Sequence, residues 1–359
     1  MNIKRVKYIL VVLILGALIL GGVSIQAMAS SDELVFGMIA SGVGIPYINA
    51  FIQAAQVKAE KLGVKKLVVL DAQMDSLKIM EMMDTLIVQK IDGFILAVMV
   101  DQKAILPGVK RINEAGIPFI AFDTCPEGGK VDMFIQFDIE QSSVKATEAF
   151  IQGIKDRNEG KVPEGFVIQI VGDIRDMFTV AASKGFKSVI DKYPQLTVAQ
   201  GEGKWNNIDS HDRTADLLTR CKGKVLGVYC ETPDIMGIGT ITAIEAAGLD
   251  PKDYGVCGIC IGPEGLELIK QGKLLAVAEQ PVSAMGELAI QYLYNMNTGV
   301  DIPKIGETVV EEGALWSPAR IVKNQWTDEG ATMILQGPLV PLEVSPDDPR
   351  LWENKFILK

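Results

Sequence analysis

Carboxylates standing at the ends of apolar runs are the residues of this chain with most chemistry to offer. In FIAFDTCPEGG, residues 119–129, a run of buried-looking side chains stops at Asp123 and turn residues follow at once. An unpaired buried charge costs several kcal/mol, so Asp123 needs either a neighbouring donor or a ligand. Other run ends supply Ser41, Thr124, Asp138, Asp176, Trp205, Thr232, Cys260 and Gln280, and Tyr47 opens the helix after the first run. Such a mixture suits a small hydroxylated ligand, with rings stacking on its apolar face and Asp and Gln binding its hydroxyls. Asp123, Asp138 and Asp176 near Trp205 and Tyr47 would alternatively hold a small cationic amine, by charge and cation–π contact.

Catalytic patterns are missing. The single histidine, His211, lies in the polar stretch SHDR, away from the run ends, and no G-x-S-x-G elbow supplies a nucleophile for it. Gly42-Val43-Gly44 is a fragment of the dinucleotide fingerprint with Tyr47 in the third glycine's place. Neither G-x-x-x-x-G-K-[ST] nor H-E-x-x-H occurs, so the chain reads as a non-enzyme with no metal and no cofactor. Five cysteines are too few and too scattered for a disulfide scaffold. Cys257 and Cys260 match C-x-x-C but sit in a strand-like run, where residues three apart face opposite sides, and they read as ordinary buried thiols.

An alternation of runs and amphipathic stretches positions these residues. Strand-like runs at 34–40, 66–72, 93–98, 117–123 and 132–138 are separated by helical patterns at 46–63, 76–89 and about 102–115. A second series has runs at 165–173, 196–203, 225–230, 255–261 and 273–280, with helices near 178–193, 209–220, 234–247, 264–271 and 283–296. Strands apolar throughout and separated by helices form parallel sheets covered on both faces. The expected class is therefore α/β, with two doubly wound parallel-sheet lobes. Ligands of open parallel sheets bind beyond the carboxyl ends of the strands, which gathers the run ends into a cleft between facing rims. Residues 307–316 read as a strand returning to the hinge. The last residues, with Pro318, Pro338, Pro341, Pro346 and Pro349, read as an extended tail over the surface.

The first residues read as an export signal. Lys4, Arg5 and Lys7 precede an apolar run of about 16 residues, Tyr8 to Val23, and Ala27-Met28-Ala29 offers an A-x-A cleavage site. The run is short of the roughly 20 residues that span a bilayer. Cleavage takes the formal net charge from −10 to about −13. So acidic a surface argues against nucleic acid, which is bound by Lys and Arg on phosphates, and against anionic lipid.

Taken together, IPYINAFIQAAQVKAEKLG, LVVLDAQ, NEAGIPFIAFD, GKLLAVAEQP and AIEAAGL resemble the type I periplasmic sugar-binding proteins, the ribose-binding group in particular, from about Leu34 to Gly299. The resemblance implies two lobes joined by a hinge, capture by closure and no catalysis. It also implies delivery to a membrane ABC permease or to a chemoreceptor or sensor kinase, by a periplasmic receptor working as a monomer. It places sugar hydroxyls on Asp123 and Gln280 and ring stacking on Tyr47 and Trp205. The division expected is a signal at 1–29, a first lobe from 30–138 plus about 281–308, a second from 139–280 plus about 309–325, and a tail over about 326–359. The chain departs from the family pattern at Ile45, Thr124, Val180, Thr232 and Cys260. Charged hydrogen-bond partners are lost there, which favours a smaller or less polar neutral compound over a pentose.

Overall fold

The computed structural model describes residues 33–355, and the expected export signal lies outside them. The first lobe begins with β1 (Val35–Ala40), α1 (Pro46–Lys61), β2 (Lys66–Asp71), α2 (Ser76–Val88), β3 (Gly93–Ala97), α3 (Leu106–Glu114), β4 (Phe119–Phe122) and β5 (Lys130–Phe137). The second holds α4 (Ile139–Arg157), β6 (Gly165–Val171), α5 (Met177–Ile190), β7 (Leu196–Glu202), α6 (Asn207–Arg220) and β8 (Val225–Cys230). It continues through α7 (Pro233–Ala246), β9 (Val256–Ile259), α8 (Pro263–Lys270) and β10 (Leu274–Ala278). The chain then returns to the first lobe through α9 (Val282–Thr298), β11 (Thr308–Val309), β12 (Ala319–Lys323) and β13 (Glu329–Leu335). It ends on the second with β14 (Leu339–Val340) and the single turn α10 (Trp352–Lys355).

Local chemistry starts the helices where the run ends leave off. Asp75, Asp138, Asp176 and Asn206 are N-caps whose side chains accept from backbone N–H groups of the first turn. Pro46, Pro233 and Pro263 occupy first turns, where a missing N–H costs nothing. The interior strands β3 and β4 are buried at every residue, whereas the edge strand β2 is only half-buried. That contrast is the one expected of a parallel sheet with helices on both faces.

Two sheets result. The eight-stranded one runs β11-β12-β13-β5-β4-β3-β1-β2 and the six-stranded one β14-β10-β9-β8-β6-β7. Pairing is parallel from β2 through β13 in the first and from β7 through β10 in the second. Among the described residues only β11, β12 and β14 join antiparallel. The class is therefore α/β with two parallel-sheet lobes, as the alternation of runs predicts.

The chain passes between the lobes at Asp138, at Glu279–Pro281 and at residues 336–338, and these passages lie side by side. The Asp138 N–H donates to the Leu335 carbonyl at 2.9 Å and the Glu279 N–H to the Pro338 carbonyl at 2.9 Å. Asp138 also takes an ion pair from Arg320 of β12 at 2.8 Å.

Three expectations need correcting. Residues 319–323 do not belong to the second lobe: β12 pairs with β13, which pairs with β5 in the first sheet. The stretch after 326 is not a surface tail, because β13 is an interior strand, β14 edges the second sheet, and Leu351 and Trp352 are buried. Its prolines misled because Pro318, Pro338 and Pro341 fall immediately before or after strands, where a missing N–H is tolerated. Finally, α4 fills a stretch in which no helix is expected from the sequence. Much of its buried surface consists of Ser142, Ser143, Ala146, Thr147, Ala149 and Gly153, which give little hydrophobic contrast.

Candidate functional site

At the first lobe's rim, Asp123 follows β4 directly in a left-handed conformation, φ 65°, which Asp tolerates better than most residues. Its carboxylate accepts from Gln280 Nε2 at 2.9 Å and from the Tyr47 hydroxyl at 3.4 Å. Tyr47 sits in the first turn of α1, buried, with its hydroxyl also against the Met99 sulfur. Gln280 lies on the second passage between lobes, and its Oε1 accepts from the Cys260 thiol at 3.4 Å. Tyr47, Asp123, Gln280 and Cys260 thus form one hydrogen-bonded chain from the first lobe, across the hinge, to the second. Burial pushes the Asp123 carboxyl up to about 6, against the pull of the Gln280 and Tyr47 bonds and with a push from Asp176.

The second lobe's rim faces this chain with acids and rings. Asp176 caps α5 by accepting from Phe178 N at 2.7 Å, and burial raises its pKa. Trp205 follows β7 at φ 58°, its ring edge-on to Phe178 with centroids 5.8 Å apart. A Cβ on Gly172 would lie 2.1 Å from that indole, so only glycine lets the ring pack directly on the end of β6. Glu231, fully buried after β8, accepts from Gly172 N at 3.1 Å through one oxygen, while the other has no partner. Burial pushes its carboxyl up to about 8. Thr232 Oγ1 is likewise buried and unpartnered.

Asp234, in the first turn of α7, donates its N–H to Cys260 O at 3.2 Å and leaves Oδ1 buried without a partner. Burial pushes its carboxyl up to about 7, and the charge of Asp123 across the cleft adds to the push. Cys260 sits among these groups: burial, then Asp234, Asp123 and Glu231, raise its pKa well above that of an ordinary thiol, so it lines the site as an unreactive neutral group. All five cysteines are free and buried.

The structure thus brings together Tyr47, Asp123, Asp176, Trp205, Thr232, Cys260 and Gln280. The polar groups of three other expected residues are committed to the protein. Ser41 Oγ donates to Ala97 O at 3.5 Å and accepts from Met99 N. Thr124 Oγ1 donates to Val98 O and accepts from Gln102 Nε2 at 3.2 Å. Asp138 caps α4 and pairs with Arg320. Sequence reasoning missed Glu231 and Asp234 as site residues. Asp234 follows Pro233, a pattern that reads as an ordinary helix start. Glu231 was visible as a run end, but nothing in the sequence marks an acid there as partnerless.

A molecule hinged between two facing rims, with no activated nucleophile on either, has the build of a two-lobed binding protein. The chain belongs to the periplasmic binding protein domain family, whose profile matches residues 36–300. That family consists of binding proteins, not enzymes. The chain is 27% identical to the ribose import binding protein of Bacillus subtilis over 280 residues, 77% of this chain and 85% of the relative. It is 22% identical to the D-apiose import binding protein of Actinobacillus succinogenes over 292 residues, 78% and 88% of the two chains. Its fold is similar to that of an ABC transporter solute binding protein from Bacillus halodurans solved with bound myo-inositol. There the TM-score is 0.70 at 21% identity, covering 91% of this chain and 100% of the other.

Proposed function

We propose that this chain is a periplasmic solute receptor. It captures a small sugar, polyol or related hydroxylated compound between its lobes and hands it, as a monomer, to a membrane ABC permease. The observation that carries the reading is the bond between Asp123 and Gln280, which ties the first rim to the hinge within reach of Cys260 and Asp234 on the second. A guest taken up there competes for the carboxylate and reports its presence to both lobes at once. The family membership supports a receptor, and the printed names of the relatives, ribose import and D-apiose import, support the sugar class. Tyr47, Asp123, Asp176, Trp205, Thr232, Cys260, Gln280 and the added Asp234 are the proposed contacts. Among the described residues no helix is long and apolar enough to cross a membrane.

A thermal-shift screen of sugars and polyols tests this, since a compound that binds only the folded form raises its melting temperature. The expected result is a hit whose shift disappears in Asp123→Ala. A shift that survives that substitution moves the site elsewhere, and chemical turnover of the hit makes the protein an enzyme.

A further inference from the structure

The donor and acceptor balance of the cleft, together with its charge, narrows the guest further. Resting on the receptor reading, we propose that the guest is a hydroxylated ring bearing a protonated amine, with the ammonium held between Asp123 of the first lobe and Asp234 of the second.

Buried carboxyl oxygens without partners mark this part of the second lobe. Asp234 Oδ1 and Glu231 Oε1 are buried and without partners, and Glu231 is fully buried as a residue. The donors beside these acids are Gln280 Nε2 and the Tyr47 hydroxyl, which already serve Asp123, the Thr179 hydroxyl, which lies against Glu231, and the unpartnered hydroxyl of Thr232. A plain polyol brings as many acceptors as donors to such a surface, since each hydroxyl does both. An ammonium brings three donors and no acceptor.

Charge points the same way. The charge of Asp176 disfavours ionisation of Asp123 and Glu231, that of Asp123 disfavours ionisation of Asp234, and no lysine or arginine among the described residues offsets any of them. Asp173 and Glu264 add further negative charge at the edges. The neighbouring cations are turned away: Arg175 is forked onto Asp173 and largely exposed, and Lys204 faces Asp209. Facing groups that stay neutral at physiological pH, the Tyr47 phenol and the Cys260 thiol, supply no counter-charge. Aromatic rings stand near the acids, since Tyr47 bonds to Asp123 and Phe178, whose N–H donates to Asp176, packs on Trp205, and a desolvated cation gains from cation–π contact in such surroundings.

The test compares matched probes by calorimetry on the full chain. Glucosamine, galactosamine and an aminodeoxy-inositol are each set against the parent hydroxyl compound and the N-acetylated one. An amine that binds at least about tenfold more tightly than both its neutral counterparts is the expected result. Asp234→Asn, near-isosteric, is expected to erase the preference, with Asp123→Asn as a second variant should the first not fold. Amine affinity is expected to fall from about pH 7.5 to about pH 5.5 as the acids take up protons, whereas a neutral guest on protonated carboxyls would gain. A neutral sugar that binds as tightly and depends on Asp123 overturns the amine and leaves the receptor standing. An amine preference that survives both variants also overturns the assignment, and a panel in which nothing binds overturns the amine-bearing ring while the receptor reading still stands or falls by the thermal-shift screen.

Discussion

Glu279 and Gln280 are consecutive, yet they open onto two different sets of buried acids. Gln280 reaches Asp123 across the hinge, and its neighbours are acids of both lobes. Glu279 instead accepts from Trp352 N at 3.4 Å and lies, 2% exposed, beside Glu353 of the terminal turn α10, itself 5% exposed. Both sets contain carboxylate oxygens without partners. Burial raises the pKa of every member. Partnerless acids therefore do not define a ligand site by themselves. What separates the sets is what surrounds them. The cleft acids lie between the two lobes with no lysine or arginine among the described residues beside them, whereas Glu279 has the charge of Lys355 nearby and lies with Glu353 in a seam against the buried Leu351 and Trp352. In the seam, burial and, for Glu353, the neighbouring charge of Glu279 favour the protonated carboxyls, so no guest is needed to balance them.

Four substitutions sharpen or break that contrast. Trp352→Ala opens the seam and is expected to cost about 3–5 kcal/mol of stability by chemical denaturation, the range for a buried large aromatic. Ligand affinity should stay within about threefold, because the cleft is untouched. A collapse of affinity with stability intact would merge the two regions into one site.

Asp123→Ala is expected to do the reverse. Charge-assisted hydrogen bonds contribute about 1.5–3 kcal/mol each, so losing two weakens binding by at least about 100-fold in a calorimetric titration. The unliganded melting temperature should barely move. Gly172→Ala is milder: the new methyl displaces the Trp205 indole, and affinity should fall about tenfold with little change in stability. Unchanged affinity would remove Trp205 from the guest's surroundings.

Glu353→Gln has the smallest effect and shows itself only through pH. The folded pKa of this pair is raised above the unfolded value of about 4.3, so its stabilising protons are fully in place below that value. They are lost as pH rises through the folded values. Wild-type stability should therefore fall from about pH 5 to about pH 8, and the variant should recover about 1 kcal/mol at the upper end. The slope that remains belongs to the cleft acids. A variant with the wild-type slope would show that Glu353 carries no such proton.

How far this contrast could be read from the residues alone depends on the direction of the signal. Asp123, Gln280, Trp205 and Cys260 were legible because parallel strands point their carboxyl ends the same way, so run ends converge wherever the lobes meet. Asp234 was not, because an acid after Pro233 belongs equally well to any helix start. Its importance comes from Asp123 on the opposing lobe, a relation no local pattern encodes. The seam was hidden for a related reason. The short β13 run EGATMIL and the single turn at Trp352 acquire their burial from β5 and β10, both far away in sequence.

The most direct test is a crystal structure of the chain with whichever compound raises its melting temperature most. The account predicts that compound between the lobes, with polar atoms within hydrogen-bond distance of Asp123 and Gln280 and with none of it beside Glu279 and Glu353. A compound seated in the cavity beside Glu279, Glu287 and Trp316, with Asp123 still held by Tyr47 and Gln280, would contradict it.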